Sequence, residues 1–183
     1  MPAKKRIVVD ASVARSAGQK PVPDFVSARS REVLEVILRA RHKVAFSAEG
    51  LAEWRKHRSR FARGWLVQMF SRKLTVLLGD TTNTDLRDRL RPCCSSESKW
   101  RAMEKDCHLV EAALQVDRVV VSRDEIVRDL FRQACSSVAE LRAVLWANPE
   151  LEEEQVVTWL EGGARDEQAR RLSSLNPTWL YRP

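Results

Sequence analysis

An apolar strand that begins close to the N-terminus and ends on a carboxylate is the feature that most limits what this chain can fold into. Residues 6–9 read Arg-Ile-Val-Val, and Asp10 follows at once. A short continuous apolar run of this kind is typical of a strand buried on both faces of a parallel sheet. Open α/β sheets place their functional groups at the carboxyl ends of such strands. We therefore predict that Asp10 lies at that edge, although an Asp after a strand can also cap a turn or a helix.

Further apolar runs of strand length alternate along the chain with segments of helical periodicity. The predicted strands are residues 44–46, 74–78, 119–121 and 143–146. The predicted helices are 26–41 with Asp24 as N-cap, a helix after the N-cap Ser47, its continuation over 59–72, and 85–91, 99–116 and 125–134. Residues 11–18 are small and polar, and 19–23 form a predicted loop. Regular alternation of this kind predicts a parallel α/β sheet with right-handed crossovers.

Several later acids stand in settings comparable with that of Asp10. Glu49 and Glu53 are four residues apart and therefore share a helix face, although most helical glutamates are simply exposed. Asp106 is in line with the apolar stripe of its helix, and we place it at or near the start of that helix. Asp124 follows a strand that ends in Ser122. Because parallel strands share one carboxyl edge, these acids are expected to converge there.

Converging carboxylates would raise one another's pKa unless a cation balances them. Mg²⁺ or Mn²⁺ prefers oxygen ligands, and such an ion can activate water and stabilise charge on a phosphate. The four cysteines lack the spacing of a metal site and are predicted to be free thiols. His57 and His108 are isolated, so surface or packing roles are expected for them.

The charge of the chain indicates a polyanionic partner. The net charge is +7, and residues 29–73 carry twelve Lys or Arg against four Glu, whereas 149–168 carry seven acids and one Arg. Arg and Lys bind phosphate backbones without reading sequence. A solvated helix face is the alternative interpretation. The candidate nucleic-acid-binding residues are Arg55, Lys56, Arg58, Arg60 and Arg63.

The chain is long enough for one globular domain with an appendage. We divide it into residues 1–149 and an acidic helical extension over 150–183, which carries Trp179, Leu180 and Tyr181 at its end. The extension is predicted to cover part of the basic surface, to dimerise through Trp159 and Leu160, or simply to pack on the domain. No apolar stretch approaches the length of a membrane span and no signal sequence is visible, so a cytoplasmic protein is expected.

Four segments together resemble the PIN domain family (PilT N-terminus-like), the metal-dependent nuclease fold of VapC-type toxins and of RNA-processing enzymes. Residues 8–12, Val-Val-Asp-Ala-Ser, are similar to the first motif of that family. Residues 46–53 resemble the second motif, 105–114 the third and 119–124 the fourth, and 145–149 are like the usual last strand. The resemblance covers about residues 6–149.

The resemblance implies a three-layer α/β/α sandwich with a five-stranded parallel sheet in the order 3-2-1-4-5. It implies a Mg²⁺ or Mn²⁺ site in a metal-dependent endoribonuclease, expected to be the toxin of a toxin–antitoxin pair with an antitoxin protein as partner. A non-toxin nuclease of RNA or DNA, and an inert nucleic-acid-binding or scaffold module, are the alternatives, and a homodimer stays open. Glu125 and Asp129 are candidates for a further family acid, and Glu49 for replacing or assisting Glu53. The implied metal ligands are Asp10, Glu53, Asp106 and Asp124, with Ser12 and Ser122 in support.

Overall fold

The computed structural model describes residues 3–18 and 25–174, except the side chains of Phe25 and Val26. The predicted N-cap Asp24, the predicted 19–23 loop and the residues Trp179, Leu180 and Tyr181 lie outside the described residues. The strands are β1 (Arg6–Val9), β2 (Lys43–Ser47), β3 (Thr75–Gly79), β4 (Val119–Val121) and β5 (Leu145–Ala147). They form one all-parallel sheet in the order β3-β2-β1-β4-β5, which confirms the expected topology.

Helices connect and cover these strands. Within the described ranges they are α1 (Ala11–Ser16), α2 (Phe25–Arg39), α3 (Ala48–His57), α4 (Arg60–Ser71), α5 (Thr84–Leu90), α6 (Glu97–Leu114), α7 (Glu125–Ala134) and α8 (Val156–Glu161). Short 3₁₀ turns occur at Arg91–Cys93, Ala139–Ala143, Glu152–Glu154 and Gln168–Arg170. Ser47 caps α3 as predicted, because its hydroxyl accepts a hydrogen bond from the Gly50 amide at 3.0 Å.

The strand side chains alternate between two apolar layers, as the two-residue period of a strand requires. Ile7 and Val9 pack with helices α1, α2, α3, α4 and α8 on one face of the sheet. Val8 packs with α5, α6 and α7 on the other face. The expected three-layer α/β/α arrangement is therefore confirmed, and both faces of the sheet are buried.

Two local expectations differ from the structure. Residues 11–16 form the helix α1, which the sequence pattern did not predict because six residues are too few for a visible period. Helix α6 begins at Glu97, where the Ser96 hydroxyl accepts from the Lys99 amide at 3.3 Å. Asp106 therefore lies near the middle of α6, and the expectation that it opens its helix is wrong.

The segment after β5 packs closely on the α/β layers. Trp159 and Leu160 of α8 are buried against α2 and the first core layer, so a dimer contact through them is wrong. The buried His42 ring joins this segment to the sheet, since Nδ1 accepts from the Lys5 amide at 2.9 Å and Nε2 donates to the Leu160 carbonyl at 2.8 Å. Leu172 belongs to the second core layer.

Acids of this segment also pair with two arginines of the basic 29–73 stretch. Glu152 lies 2.8 Å from Arg29, and Glu161 lies 2.5 Å from Arg39. The extension therefore packs on the domain and neutralises part of the basic charge of α2. Among the helices of residues 3–18 and 25–174, none combines the length and the apolar character that a membrane crossing requires.

Candidate active site

Asp10 sits at the carboxyl end of β1, beside the end of β4. Its amide donates to the Val121 carbonyl at 2.9 Å, so the backbone fixes its position. Its carboxylate oxygen Oδ2 accepts from the hydroxyl of the buried Ser122 at 2.8 Å and from the Ser12 hydroxyl through a short hydrogen bond. Both serines that the sequence analysis named as supporting residues therefore orient this carboxylate.

Asp124 reaches the same edge from the loop after β4. Its backbone amide donates to the Ser122 hydroxyl at 3.2 Å, which couples it to Asp10 through one serine. Its side-chain oxygen Oδ1 caps α7 by accepting from the Val127 amide at 2.9 Å. An Asp at the end of a strand can therefore cap a helix and also line a functional site. In Asp124 the helix cap holds the carboxylate at the edge of the sheet.

Glu49 and Glu53 project from α3 on the other side of Asp10. Glu53 lies 3.1 Å from His57 Nε2, one helical turn away. Glu49 lies 3.6 Å from Arg87 and 4.0 Å from Nδ1 of the buried His108. Both glutamates face the acidic edge, and Glu49 has more cationic neighbours than Glu53 does.

Asp106 faces these acids from α6 on the opposite face of the sheet. Burial is the largest cause that raises its pKa from 3.8 to about 7. Repulsion from Asp10, Asp124 and Glu53 raises the pKa further, whereas Lys105 opposes the shift. Asp106 is therefore close enough to the other three carboxylates for their charges to oppose its ionisation.

A cleft of about 300 Å³ unites these groups. It is lined by Asp10, Ala11, Ser12, Arg15, Glu49, Glu53, Lys56, His57, Lys105, Asp106, His108 and Asp124. Arg15 and Lys105 were not among the predicted site residues, and only surface or packing roles were expected for the two histidines. The position of Lys105 next to a candidate ligand was the one available signal; Arg15 is brought in by the unpredicted helix α1.

Two candidate acids point elsewhere. Glu125 accepts from the Asn148 side-chain amide at 3.0 Å and from Arg128 at 3.1 Å. Asp129 is exposed and pairs with Arg132 at 2.6 Å. Neither residue lines the cleft, so neither Glu125 nor Asp129 occupies the position expected for a further acid of the family.

The candidate nucleic-acid-binding residues lie on α3, on α4 and in the turn between these helices. Lys56 lines the cleft itself, and Arg55, Arg60 and Arg63 are exposed. Arg58 is half-buried at the junction of α3 and α4, and its Nε is buried without a hydrogen-bond partner among the described residues. Four of the five cations are therefore accessible to a partner.

In the described part of the chain, no group of three or more His, Cys, Asp or Glu side chains is already arranged to hold a metal ion. The acids line a shared cleft rather than a closed cage. A hard divalent cation that keeps several waters takes only one or two carboxylates directly, so this donor set fits Mg²⁺ or Mn²⁺ by its chemistry. The four cysteines are free, and Cys107 and Cys135 are buried.

The raised pKa of Asp106 predicts a pH-dependent gain in stability for Asp106→Asn in the presence of chelator. A folded-state pKa above the ordinary value stabilises the fold at low pH, and this contribution is lost as the pH rises from about 4 through 7. The variant should match wild type near pH 4 and exceed it at pH 8 by about 1–3 kcal/mol, allowing for partial solvent screening. Urea unfolding across this pH range measures the difference.

The exposed Asp88 on α5 provides the control, since Asp88→Asn should give no such pH-dependent gain. An Asp106→Asn protein that is no more stable than wild type at pH 8 would show that burial and the neighbouring acids do not destabilise the ionised Asp106 side chain.

Comparisons with protein-family models, with curated proteins and with solved structures found no match. The fold and the cleft define an α/β protein with a parallel five-stranded sheet and an acidic cleft at its carboxyl edge. The resemblance to PIN domains depends on the four sequence motifs.

Proposed function

We propose that this protein is a metal-dependent nuclease of the PIN type that cleaves RNA endonucleolytically. The observation that carries the proposal is the meeting of Asp10, Glu53, Asp106 and Asp124 in one cleft at the carboxyl edge of the sheet. Four acids from separate parts of the chain repel one another there. That arrangement costs stability unless it serves to bind a cation.

One or two of these four carboxylates would hold Mg²⁺ or Mn²⁺ directly, and the others, with Glu49, would hold it through its bound waters. When bound, the ion would supply charge stabilisation on the phosphate and activation of water. Ser12 and Ser122 fix the orientation of Asp10 through their hydroxyl groups. Mutation of such an outer partner of a metal ligand typically lowers metal affinity by about 10- to 100-fold.

The cations of the cleft would position the substrate. Arg15, Lys56 and Lys105 line it together with the acids, so a phosphodiester can lie between carboxylates and ammonium or guanidinium groups. His57 pairs with Glu53 at 3.1 Å and can hold that carboxylate in place. The chain thus orders the acids and neutralises the substrate backbone with its own residues.

The accessible cations suit a phosphate backbone, and the family resemblance is the reason why we favour RNA over DNA as the substrate. We further propose that the protein acts in the cytoplasm as the toxin of a toxin–antitoxin pair and that an antitoxin protein binds it. These finer assignments follow from the family resemblance. A PIN nuclease of RNA or DNA processing is the alternative within the same chemistry.

The test is cleavage of end-labelled structured RNA and single-stranded DNA by the full chain, with Mg²⁺, with Mn²⁺ and with chelator. We expect RNA products with either metal and none with chelator. Cutting of DNA alone would favour the DNA-processing alternative. A well-folded protein that cuts neither substrate with either metal would contradict the proposal and favour an inert binding module.

Removing exposed cations of α3 and α4 should weaken RNA binding and reduce its salt dependence. In the variant Lys56→Gln, Arg60→Gln, Arg63→Gln, the slope of log Kd against log salt should fall by about 2–3, since each phosphate contact contributes roughly 0.7–0.9. Fluorescence anisotropy with labelled RNA in chelator measures both quantities. The variant Arg91→Ala, Lys99→Ala, Arg101→Ala removes as many exposed cations elsewhere and should bind as wild type does. An unchanged slope in the variant Lys56→Gln, Arg60→Gln, Arg63→Gln would show that these cations are only a solvated face.

A further inference from the structure

The amino edge of the sheet, opposite the acidic cleft, carries a dense group of cations. A depression of about 620 Å³ lies there. It is lined by Lys4, Lys5, Arg6, Arg41, Lys43, Arg72, Lys73, Leu74 and Asp117. Arg118 lies on the neighbouring turn that leads into β4. We call the eight cations of this edge the amino-edge patch.

Three of these cations occupy backbone positions that favour glycine. Arg41, Lys73 and Arg118 have φ angles of 60°, 57° and 58°, in the left-handed region. Each lies on the turn between a helix and the next strand. A long cationic side chain at such a position costs backbone stability that glycine would not. The three turns thus place three long cationic side chains at this edge, although glycine would suit each backbone position better.

Hydrogen bonds at two of these turns show why the left-handed residue is required. After α2, the His42 amide donates to the Ile37 carbonyl at 3.0 Å and the Arg41 amide donates to the Leu38 carbonyl at 3.2 Å. After α4, the Leu74 amide donates to the Met69 carbonyl at 2.8 Å and the Lys73 amide to the Phe70 carbonyl at 3.0 Å. This is the Schellman helix ending, in which glycine is the usual residue at the left-handed position.

The patch also lacks compensating acids among the described residues. Arg6 pairs with Asp117 at 2.8 Å, but the other seven cations form no ion pair with a described residue. Asp166 lies near Lys5, and its own partner is Arg171 at 2.5 Å. Six of those seven cations are exposed and Lys5 is half-buried. The acids of residues 3–18 and 25–174 therefore leave most of the positive charge of this edge without an ion-pair partner.

We infer that the amino-edge patch is a second binding surface, and that it binds the phosphate backbone of a nucleic acid. Exposed Lys and Arg around a concave surface suit a chain of phosphates, which they contact without base recognition. An anionic membrane is less suited, because stable attachment needs apolar insertion and Leu74, the one apolar residue that lines the depression, is buried.

The two binding surfaces are separate in space. Strand β1, which has four residues, runs from Arg6 in the patch to the residue before Asp10 in the cleft. At roughly 3.3 Å per residue the two edges lie about 13 Å apart across the sheet. The patch and the cleft share no lining residue, so binding at the patch can be measured in chelator whether or not the proposed nuclease activity exists.

The test uses the triple variant Arg41→Gly, Lys73→Gly, Arg118→Gly of the full chain. Because glycine favours the left-handed backbone, the variant should melt at or above the wild-type temperature. Its affinity for a labelled RNA hairpin in chelator at about 0.1 M salt should fall at least tenfold, and the slope of log Kd against log salt should fall by about 2–3. The variant Arg91→Ala, Lys99→Ala, Arg101→Ala changes net charge equally and should keep wild-type binding.

Three outcomes would overturn the inference. The first is a stable glycine variant with wild-type affinity and slope. The second is an equal loss in the control variant, which would assign the effect to net charge alone. The third is patch-dependent sedimentation with vesicles of phosphatidylcholine and phosphatidylglycerol while RNA binding does not depend on the patch.

Discussion

Asp10→Asn is expected to reduce metal-dependent RNA cleavage by about 10²–10³-fold while the protein stays folded. Asp10 is the most constrained acid of the cleft, since its backbone is fixed to β4 and its carboxylate accepts from Ser12 and Ser122. Asparagine keeps the size of the side chain but removes the negative charge that a divalent cation requires. Single-turnover cleavage with Mg²⁺ or Mn²⁺ measures the rate.

Two further variants make the experiment specific. Asp129→Asn changes an exposed acid on α7 that does not line the cleft, so it should cleave at the wild-type rate. Ser122→Ala removes one orienting hydroxyl and should lose about tenfold in activity or metal affinity. The melting temperature of Asp10→Asn in chelator should equal or exceed that of wild type, because one charge leaves a repelling group. An Asp10→Asn protein that cuts at the wild-type rate would contradict the site assignment.

Glu154→Ala is expected to lower the free energy of unfolding by about 3–5 kcal/mol. The Glu154 carboxylate is buried, with a side-chain exposure of 0%. It accepts hydrogen bonds from the Arg128 side chain at 2.5 Å, from the backbone amide of Asn148 at 2.9 Å and from the Arg170 side chain at 3.4 Å. Removing the Glu154 carboxylate leaves the buried guanidinium groups of Arg128 and Arg170 without this partner. Because their positive charge is then less well compensated, the free energy of unfolding falls.

The neighbouring Glu153 gives a matched control for Glu154→Ala. Glu153 belongs to the same 3₁₀ turn but is exposed, so Glu153→Ala should change stability by less than about 0.5 kcal/mol. Urea unfolding of both variants measures the contrast. A loss below about 1 kcal/mol for Glu154→Ala would show that the buried contacts of Glu154 with Arg128, Asn148 and Arg170 contribute little to stability.

Local patterns were enough to predict the sheet and its connections. The apolar run 119–121 is buried on both faces as β4, and the hydroxyl of Ser47 caps α3, because both depend on a few consecutive residues. The resemblance of the motifs supplied the strand order that the structure confirms. Residues 11–16 form a helix that the pattern missed, since their helical conformation is set by packing on the sheet and α3 rather than by a visible period.

Sites that depend on distant residues were only partly predictable. Asp124 and Glu125 are adjacent and carry the same charge, but one lines the cleft and the other binds Asn148 and Arg128. The choice between them depends on the path of the chain after β4 and on the contacts of β5, which are far away in sequence. The burial of Asp106 in mid-helix also arises from packing of α6 on the sheet.

The sequence by itself determined the α/β class, the strands and the acids that end them, because hydrophobic period and strand-end position are properties of a few neighbouring residues. Tertiary structure alone decided that the segment with Trp159 and Leu160 is part of the core, and that Arg41, Lys73 and Arg118 meet at one edge. The physical reason is that burial and electrostatic potential depend on which distant segments pack together. Local sequence patterns do not show which segments these are.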